Sequence, residues 1–123
     1  MPREPRLRFP KAARLARTSE FARVREQGKP VHGKSMLLGV FEAGAGSATR
    51  TGIVTSRRIG SAVVRNRVRR RLREIVRHAR ATLREGLWLV IVAKPPAARA
   101  DYDALRAEWL QLARRGGVLC ATK

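Results

Sequence analysis

A single small α+β domain in the order α-β-β-α-β-α is predicted by three observations. Residues 61–84 space their apolar side chains at helical intervals. The run Leu87–Ala93 (LWLVIVA) is continuously apolar between Gly86 and the Pro95–Pro96 pair, as a central strand buried on both faces would be. A chain of 123 residues has room for one hydrophobic core.

The chain opens with MPREPRLRFPKAARLAR, which is basic, poor in acids and without an apolar signal core, so residues 1–13 are expected to form a flexible basic arm. Thr18 or Ser19 can then cap a short helix whose apolar side is Phe21 and Val24, and Gly28 and Pro30 stop it. Val31–Ala43 and Thr49–Ser56 read as extended, and the small-residue segment GAGSA between them predicts an antiparallel hairpin with a mobile tip over residues 44–49. Gly39 and Gly52 weaken those strands or mark places where another group comes close.

Gly60 ends the extended stretch, and Ser61 is the candidate cap of a long helix reaching about Arg84 and closed by Gly86. On a helical wheel, Val64, Val68, Leu72, Ile75, Val76, Ala79 and Leu83 occupy a stripe about 120° wide. Asn66, Arg70, Arg73, Arg77, Arg80 and Arg84 occupy the opposite side. A final helix begins at Asp101, sets Tyr102, Leu105, Trp109 and Leu112 on one side, and stops at Gly116–Gly117. The domain is expected to span residues 14–117, followed by a tail at 118–123 that holds Cys120.

Charge narrows the function. The chain has 28 basic and 9 acidic side chains, a formal charge of +19, and 23 of the basic residues are arginine. Arginine's planar fork grips phosphate bidentately and stacks on bases, so a polyanionic partner is implied. A bilayer span is excluded for this sequence, since its longest apolar run has 7 residues against the roughly 20 required. A lone cysteine cannot make an internal disulfide, which suits the reducing cytoplasm.

Candidates for autonomous chemistry are sparse. His32 and His78 fall on different elements, so a paired acid and base depends on the tertiary fold, and no ligand spacing suits a transition metal. Glu74, the only acid in RRIGSAVVRNRVRRRLREIVR, has Arg70 and Arg77 at i−4 and i+3 for local charge compensation. There is no nucleotide-binding glycine loop, no small-molecule motif and no aromatic signature of the common RNA recognition module. Trp88 and Trp109 lie in apolar patterns and are expected in the core, whereas Phe21 is equally suited to a core or to stacking on a base.

The segment Arg50–Arg73 (RTGIVTSRRIGSAVVRNRVRRRLR) resembles the signature of the bacterial ribonuclease P protein component: a strand ending in two basic residues, then I-G-x-A-V, then an Arg-Asn-Arg core on a basic helix. Arg14-Leu15, Phe21 and Gly28 before it, and LWLVIVAKP after it, resemble the family's flanking regions, so the likeness covers about residues 14–116. The resemblance implies the order α-β-β-β-α-β-α with a left-handed β-α-β crossover, an exception to the right-handed rule. It also implies 5′ maturation of precursor tRNA by a ribonucleoprotein whose RNA subunit performs Mg2+-dependent hydrolysis, with one protein per RNA and no catalytic side chain on the protein. By the same resemblance, Arg65, Asn66, Arg67, Arg69, Arg70 and Arg73 bind the catalytic RNA. Phe21, Arg25, Arg57 and Arg58 serve a cleft for the precursor-tRNA leader. Arg25 and Gly39 stand where the family often has aromatics, shifting leader contact from stacking toward charge. The competing readings are a ribosome-associated RNA-binding protein of similar architecture and a self-sufficient nuclease.

Overall fold

The computed structural model describes residues 13–120. Of the expected basic arm only Ala13 falls among them, and the rest lies outside the described residues. The elements are α1 (Thr18–Gln27), β1 (Lys29–His32), β2 (Met36–Glu42), β3 (Arg50–Val54), α2 (Ala62–Ala79), β4 (Leu87–Ala93) and α3 (Tyr102–Arg115), with 3-10 turns at Arg57–Ile59, Arg80–Thr82 and Pro95–Ala98. This is the α-β-β-β-α-β-α order implied by the family resemblance, one strand more than periodicity alone indicates.

The four strands form one sheet in the order β1-β2-β4-β3. β2 pairs antiparallel with both β1 and β4, while β3 runs parallel to β4 and is connected to it through α2. The hairpin expected between 31–43 and 49–56 is therefore not formed. β4, the most apolar strand, lies between β2 and β3 and satisfies the inner edge of each, so the hairpin partner of β2 is the short β1. The 44–49 segment, expected to be mobile, is tied down: Ala43 and Gly44 donate to the Gly86 carbonyl at 2.7 and 3.3 Å, and Gly86 donates to Ser47 O at 2.9 Å.

One face of the sheet carries Met36, Leu38, Leu89 and Ile91 into the main core, where Val68, Leu72, Ile75 and Val76 of α2 and Leu105, Trp109 and Leu112 of α3 are buried against them. Each such side chain contributes about 1.5–3 kcal/mol by leaving water. Ser61 Oγ accepts from Val64 N at 3.3 Å and so caps α2 as expected. The helix ends at Ala79, however, and does not run on to Arg84. Residues 80–82 tighten into a 3-10 turn, and Leu83 leaves in extended form to bridge Leu119, while Cys120 N donates to Thr82 O at 2.6 Å. Leu83 is buried, as the wheel requires, but from this bridge, and Val118 is fully buried beside it. Asp101 caps α3 by accepting from Ala104 N at 2.8 Å.

The other face of the sheet is covered by α1. Its start is fixed by Glu20, whose Oε1 accepts from the backbone N–H groups of Ala16 and Arg17 at 3.0 Å each, so Thr18 and Ser19 are helical residues and not the cap. Gly39, Val90 and Gly52 are cross-strand neighbours on β2, β4 and β3 and form one row across the sheet. α1 lies over this row: a Cβ at Gly39 would stand 3.1 Å from Val24 Cγ1, and one at Gly52 would stand 2.4 Å from the Phe21 ring. Leu15, Val24 and Val90 form a second, smaller core there. The rows on either side stay partly open. Trp88, expected in the core, is half-exposed in one of them, whereas Trp109 is buried as expected.

The C-terminal end of α1 is the least yielding of these contacts, since a Cβ at Gly28 would lie 2.4 Å from Val24 O and 2.7 Å from Val40 O. Both are backbone atoms with no room to yield, so Gly28→Ala is expected to lower unfolding free energy by about 1–3 kcal/mol. Urea unfolding monitored by circular dichroism checks this through the midpoint. An unchanged midpoint would mean that α1 can move off the sheet without cost.

Candidate nucleic-acid interface

Two surfaces carry the residues singled out by sequence. The first is the outer side of α2. Asn66, Arg67, Arg70 and Arg73 are exposed, while Arg65 and Arg69 are half-buried. The guanidinium groups divide into two kinds. Arg67 donates to Ala98 O at 3.0 Å and Arg71 to Ala100 O at 2.8 Å, tying α2 to the segment after β4. Arg69 donates to Asn66 Oδ1 at 3.1 Å and to Thr55 Oγ1 at 2.5 Å, tying α2 to the segment after β3. Arg65 keeps its Nε buried without a hydrogen-bond partner among the described residues.

The guanidinium groups of Arg70 and Arg73 make no hydrogen bond or ion pair among the described residues, and neither do those of Arg57 and Arg58. Glu74, expected to serve Arg70 as well as Arg77, is held instead by Arg77, at 3.0 and 2.8 Å, and lies 3.4 Å from His78. The hydrogen bond from Arg77 holds the Glu74 carboxyl below its usual range. Arg70 is thus left to the solvent beside Arg73, and two unneutralised cations on one exposed helical face suit phosphate contact.

The second surface is a cleft of about 380 Å³ between α1 and the sheet, lined by Phe21, Val24, Arg25, Gly28, Pro30, Leu37, Gly39, Val54, Val90 and Val92. Its floor is the row Leu37–Val92–Val54, on one side of the row that α1 covers. Phe21 forms part of the wall, and its ring leans over Gly52. Arg25 stands at the rim, exposed and without an acidic partner among the described residues. Phe21 and Arg25 are thus brought together. Arg57 and Arg58 are not among the lining residues; they sit in the 3-10 turn that leads from β3 toward α2, and Arg58 borders a separate hollow with Lys34, Pro95 and Arg99. The aliphatic floor was not singled out by sequence, because which residues share a row depends on β4 entering between β2 and β3.

No group of three or more His, Cys, Asp or Glu side chains among the described residues could hold a metal ion. His78 is engaged at Glu74, while His32 lies on edge strand β1 in a different hollow. No helix among the described residues is long and apolar enough to cross a membrane.

The entrance to α1 is held by a cross-element ion pair. Glu20 binds the Arg50 guanidinium through both carboxylate oxygens, and Arg50 also donates to Arg14 O at 2.9 Å. Burial pushes the Glu20 carboxyl up, but the N–H groups of Arg17 and Ala16 and the Arg50 side chain outweigh it and hold it below its ordinary value of 4.5. A lowered folded value means that the stabilisation is complete above the ordinary carboxyl range and is lost as pH falls through the lowered value.

The domain matches the family model for ribonuclease P over residues 9–116. It is 38% identical over 109 residues to the ribonuclease P protein component of Symbiobacterium thermophilum, covering 89% of this chain and 95% of that one. It is 42% identical over 110 residues to that of Desulfovibrio desulfuricans, covering 87% and 85%. Among solved structures it is similar to the RNase P protein of Thermotoga maritima, with a TM-score of 0.74 at 26% identity over 83% of this chain and 96% of that one. It shares the fold of the Staphylococcus aureus RNase P protein, with a TM-score of 0.82 at 21% identity over 89% and 100% of the two chains.

Glu20→Gln keeps an acceptor for the backbone but removes the charge facing Arg50. The stability difference between wild type and this variant is expected to be full at pH 7 and to shrink as pH falls below about 4.5 through the lowered Glu20 value. Urea titrations from pH 7 to acid measure it, and a difference that grows toward acid would contradict the assignment.

Proposed function

Because the chain belongs to the ribonuclease P protein family and is the non-catalytic protein component of that ribonucleoprotein enzyme, which matures the 5′ end of precursor tRNA, we propose that α2 binds the catalytic RNA and that the cleft beside α1 receives the precursor-tRNA leader. The observation that carries the first half is the division of the α2 arginines. Arg67, Arg69 and Arg71 brace the helix against its own domain, while Arg70 and Arg73 remain exposed and unneutralised on a chain of charge +19. Arg65, Asn66, Arg67, Arg69, Arg70 and Arg73 make up the RNA-subunit surface in this reading, and Arg57 and Arg58 extend it or the leader path from the entrance of α2. Phe21 and Arg25 meet the leader in the cleft, one as a stacking wall and the other as a cation.

The described residues offer no ligand cluster for a cation, so the reading assigns the Mg2+ ions to the RNA subunit, in a one-to-one complex in the cytoplasm. The protein's part is to supply positive charge and to position RNA. A phosphodiester backbone approaching the catalytic RNA is repelled by it; a basic helix on one partner and a basic-rimmed cleft on the other reduce that repulsion and fix register.

Reconstitution tests the reading: the full-length protein added to its cognate catalytic RNA at low Mg2+ restores 5′ cleavage of precursor tRNA. No gain in cleavage would overturn it, and cleavage by highly purified protein without the RNA would favour a self-sufficient nuclease.

Arg70→Glu is expected to weaken RNA-subunit binding and to flatten its salt dependence, since each phosphate contact contributes about 0.7–0.9 to the logarithmic slope. Binding isotherms across a salt series measure the slope. An unchanged slope would show that this face of α2 is merely solvated.

A further inference from the structure

α1 divides its face of the sheet into two open rows, and the cleft uses only one of them. The other is Phe41, Trp88 and Arg50, cross-strand partners on β2, β4 and β3. Phe41 and Trp88 are both half-buried, with ring centroids 5.6 Å apart and planes inclined at 55°. A guanidinium covers each ring: Arg50 lies 5.7 Å from the Trp88 centroid, and Arg23 lies 6.0 Å from that of Phe41.

We propose that this row is a second binding site for single-stranded RNA, which extends the leader path beyond the cleft. The inference rests on the reading of the cleft as the leader site. Its first support is placement. The chain has only six aromatic residues, yet Phe21, Phe41 and Trp88 share this face, partly open, with the last two in a row that α1 covers only in part. The part of these two large rings that stays open to solvent is apolar surface available for a base to cover.

Its second support is the difference between the two cations. Arg50 is immobilised by Glu20 and the Arg14 carbonyl, so it forms a fixed, ion-paired edge beside Trp88. Arg23 is exposed, has no ion pair among the described residues, and lies over the Phe41 face. It can therefore swing from the ring to a phosphate, uncovering Phe41 for a base. An aromatic pair flanked by a movable, unpaired cation combines the stacking faces and the positive charge that sequence-tolerant binding of single strands uses. The charge of +19 selects a polyanion over an apolar partner for the same row. Trp88 and Val92 are four residues apart on β4, placing the two open rows about 13 Å apart, a distance that a strand of a few nucleotides bridges.

The test compares full-length protein in the holoenzyme with precursor tRNAs carrying leaders of about three and about ten nucleotides, and with mature tRNA. Phe41→Leu keeps an apolar side chain but removes the stacking face, and Arg23→Ala alters an exposed residue. Each is expected to weaken binding of the long-leader substrate by about fivefold or more while leaving short-leader and mature tRNA unchanged. Phe21→Ala is expected to weaken both leader lengths. Trp88 is the half-exposed tryptophan, so an unstructured oligoadenylate of about ten nucleotides should quench its emission saturably.

If Phe41→Leu and Arg23→Ala bind every substrate as wild type does while Phe21→Ala weakens both leaders, the row is no site and the cleft reading stands. If Phe21→Ala has no effect while the row variants do, the cleft reading fails, and with it the proposal that the row extends a path from the cleft. Equal loss on all three substrates would mark a packing defect and overturn the proposal. So would a Trp88 emission that ignores oligoadenylate but shifts on deletion of residues 1–12, which would give the row to the chain's own arm.

Discussion

The close approach of α1 to the sheet is the contact on which one whole face of this domain depends. Val24 and Phe21 come to rest over Gly39 and Gly52 because those positions lack a Cβ, with Val90 between them as the single side chain of the row. A Cβ at Gly52 would stand 2.4 Å from the Phe21 ring and press on the small core of Leu15, Val24 and Val90, whereas one at Gly39 would ask the Val24 side chain to yield only slightly. The glycines weaken their strands locally, but β4 lies between β2 and β3 and supplies the main-chain pairing that keeps both strands in place. A helix seated crosswise on the sheet therefore converts one flat face into two furrows, one aliphatic and one aromatic.

The acids of this chain are few, and those with resolved roles are structural. Glu20 holds the start of α1 and the Arg50 side chain. Glu108 accepts from Ser35 N at 2.8 Å and Met36 N at 3.0 Å, fastening the entry to β2 onto α3. Asp101 caps α3 and Glu74 holds Arg77. With nine acids in the sequence against twenty-eight basic groups, these acids hold helix starts and element junctions or, for Glu74, a neighbour on its own helix. The positive surplus is left on the outer side of α2 and around the cleft, where self-repulsion in the free protein becomes attraction once a polyanion is bound.

Much of this was legible in the sequence where the deciding interactions are local. The α2 stripe, its Ser61 cap, the Asp101 cap and the buried run of β4 follow from spacing along one segment, and Val68, Leu72, Ile75 and Val76 are buried as that spacing demands. The strand pairing was not legible, because a short loop such as GAGSA suggests a hairpin, while the pairing of β2 and β3 with β4 is decided by residues more than thirty positions away. The position of Trp88 was lost with it: a tryptophan inside LWLVIVA reads as core until the neighbouring row is known to lack a covering helix. Gly39 and Gly52 were recognisable as sites of close approach, but not as sites facing the same helix. The end of α2 was overrun because Leu83 fits the helical stripe, although the Leu119 bridge draws it into extended form.

The same distinction between local and distant causes explains why a motif of clustered arginines is not one uniform surface. Neighbouring guanidinium groups on α2 differ in duty because the acceptors around the helix differ: Ala98 and Ala100 carbonyls on one flank, Thr55 and Asn66 on the other, and nothing opposite Arg70 and Arg73 among the described residues. A braced arginine has already lost side-chain freedom and holds the helix in place, so its removal acts first on the scaffold. A free one must be ordered by its ligand and adds salt-dependent attraction. Asn66 joins the two kinds, since its carbonyl orients Arg69 while its exposed position sits on the same face as Arg70. Loss of Asn66 would therefore disturb the geometry of this basic face without removing a charge from it, which separates positioning from charge in a motif where the two otherwise coincide.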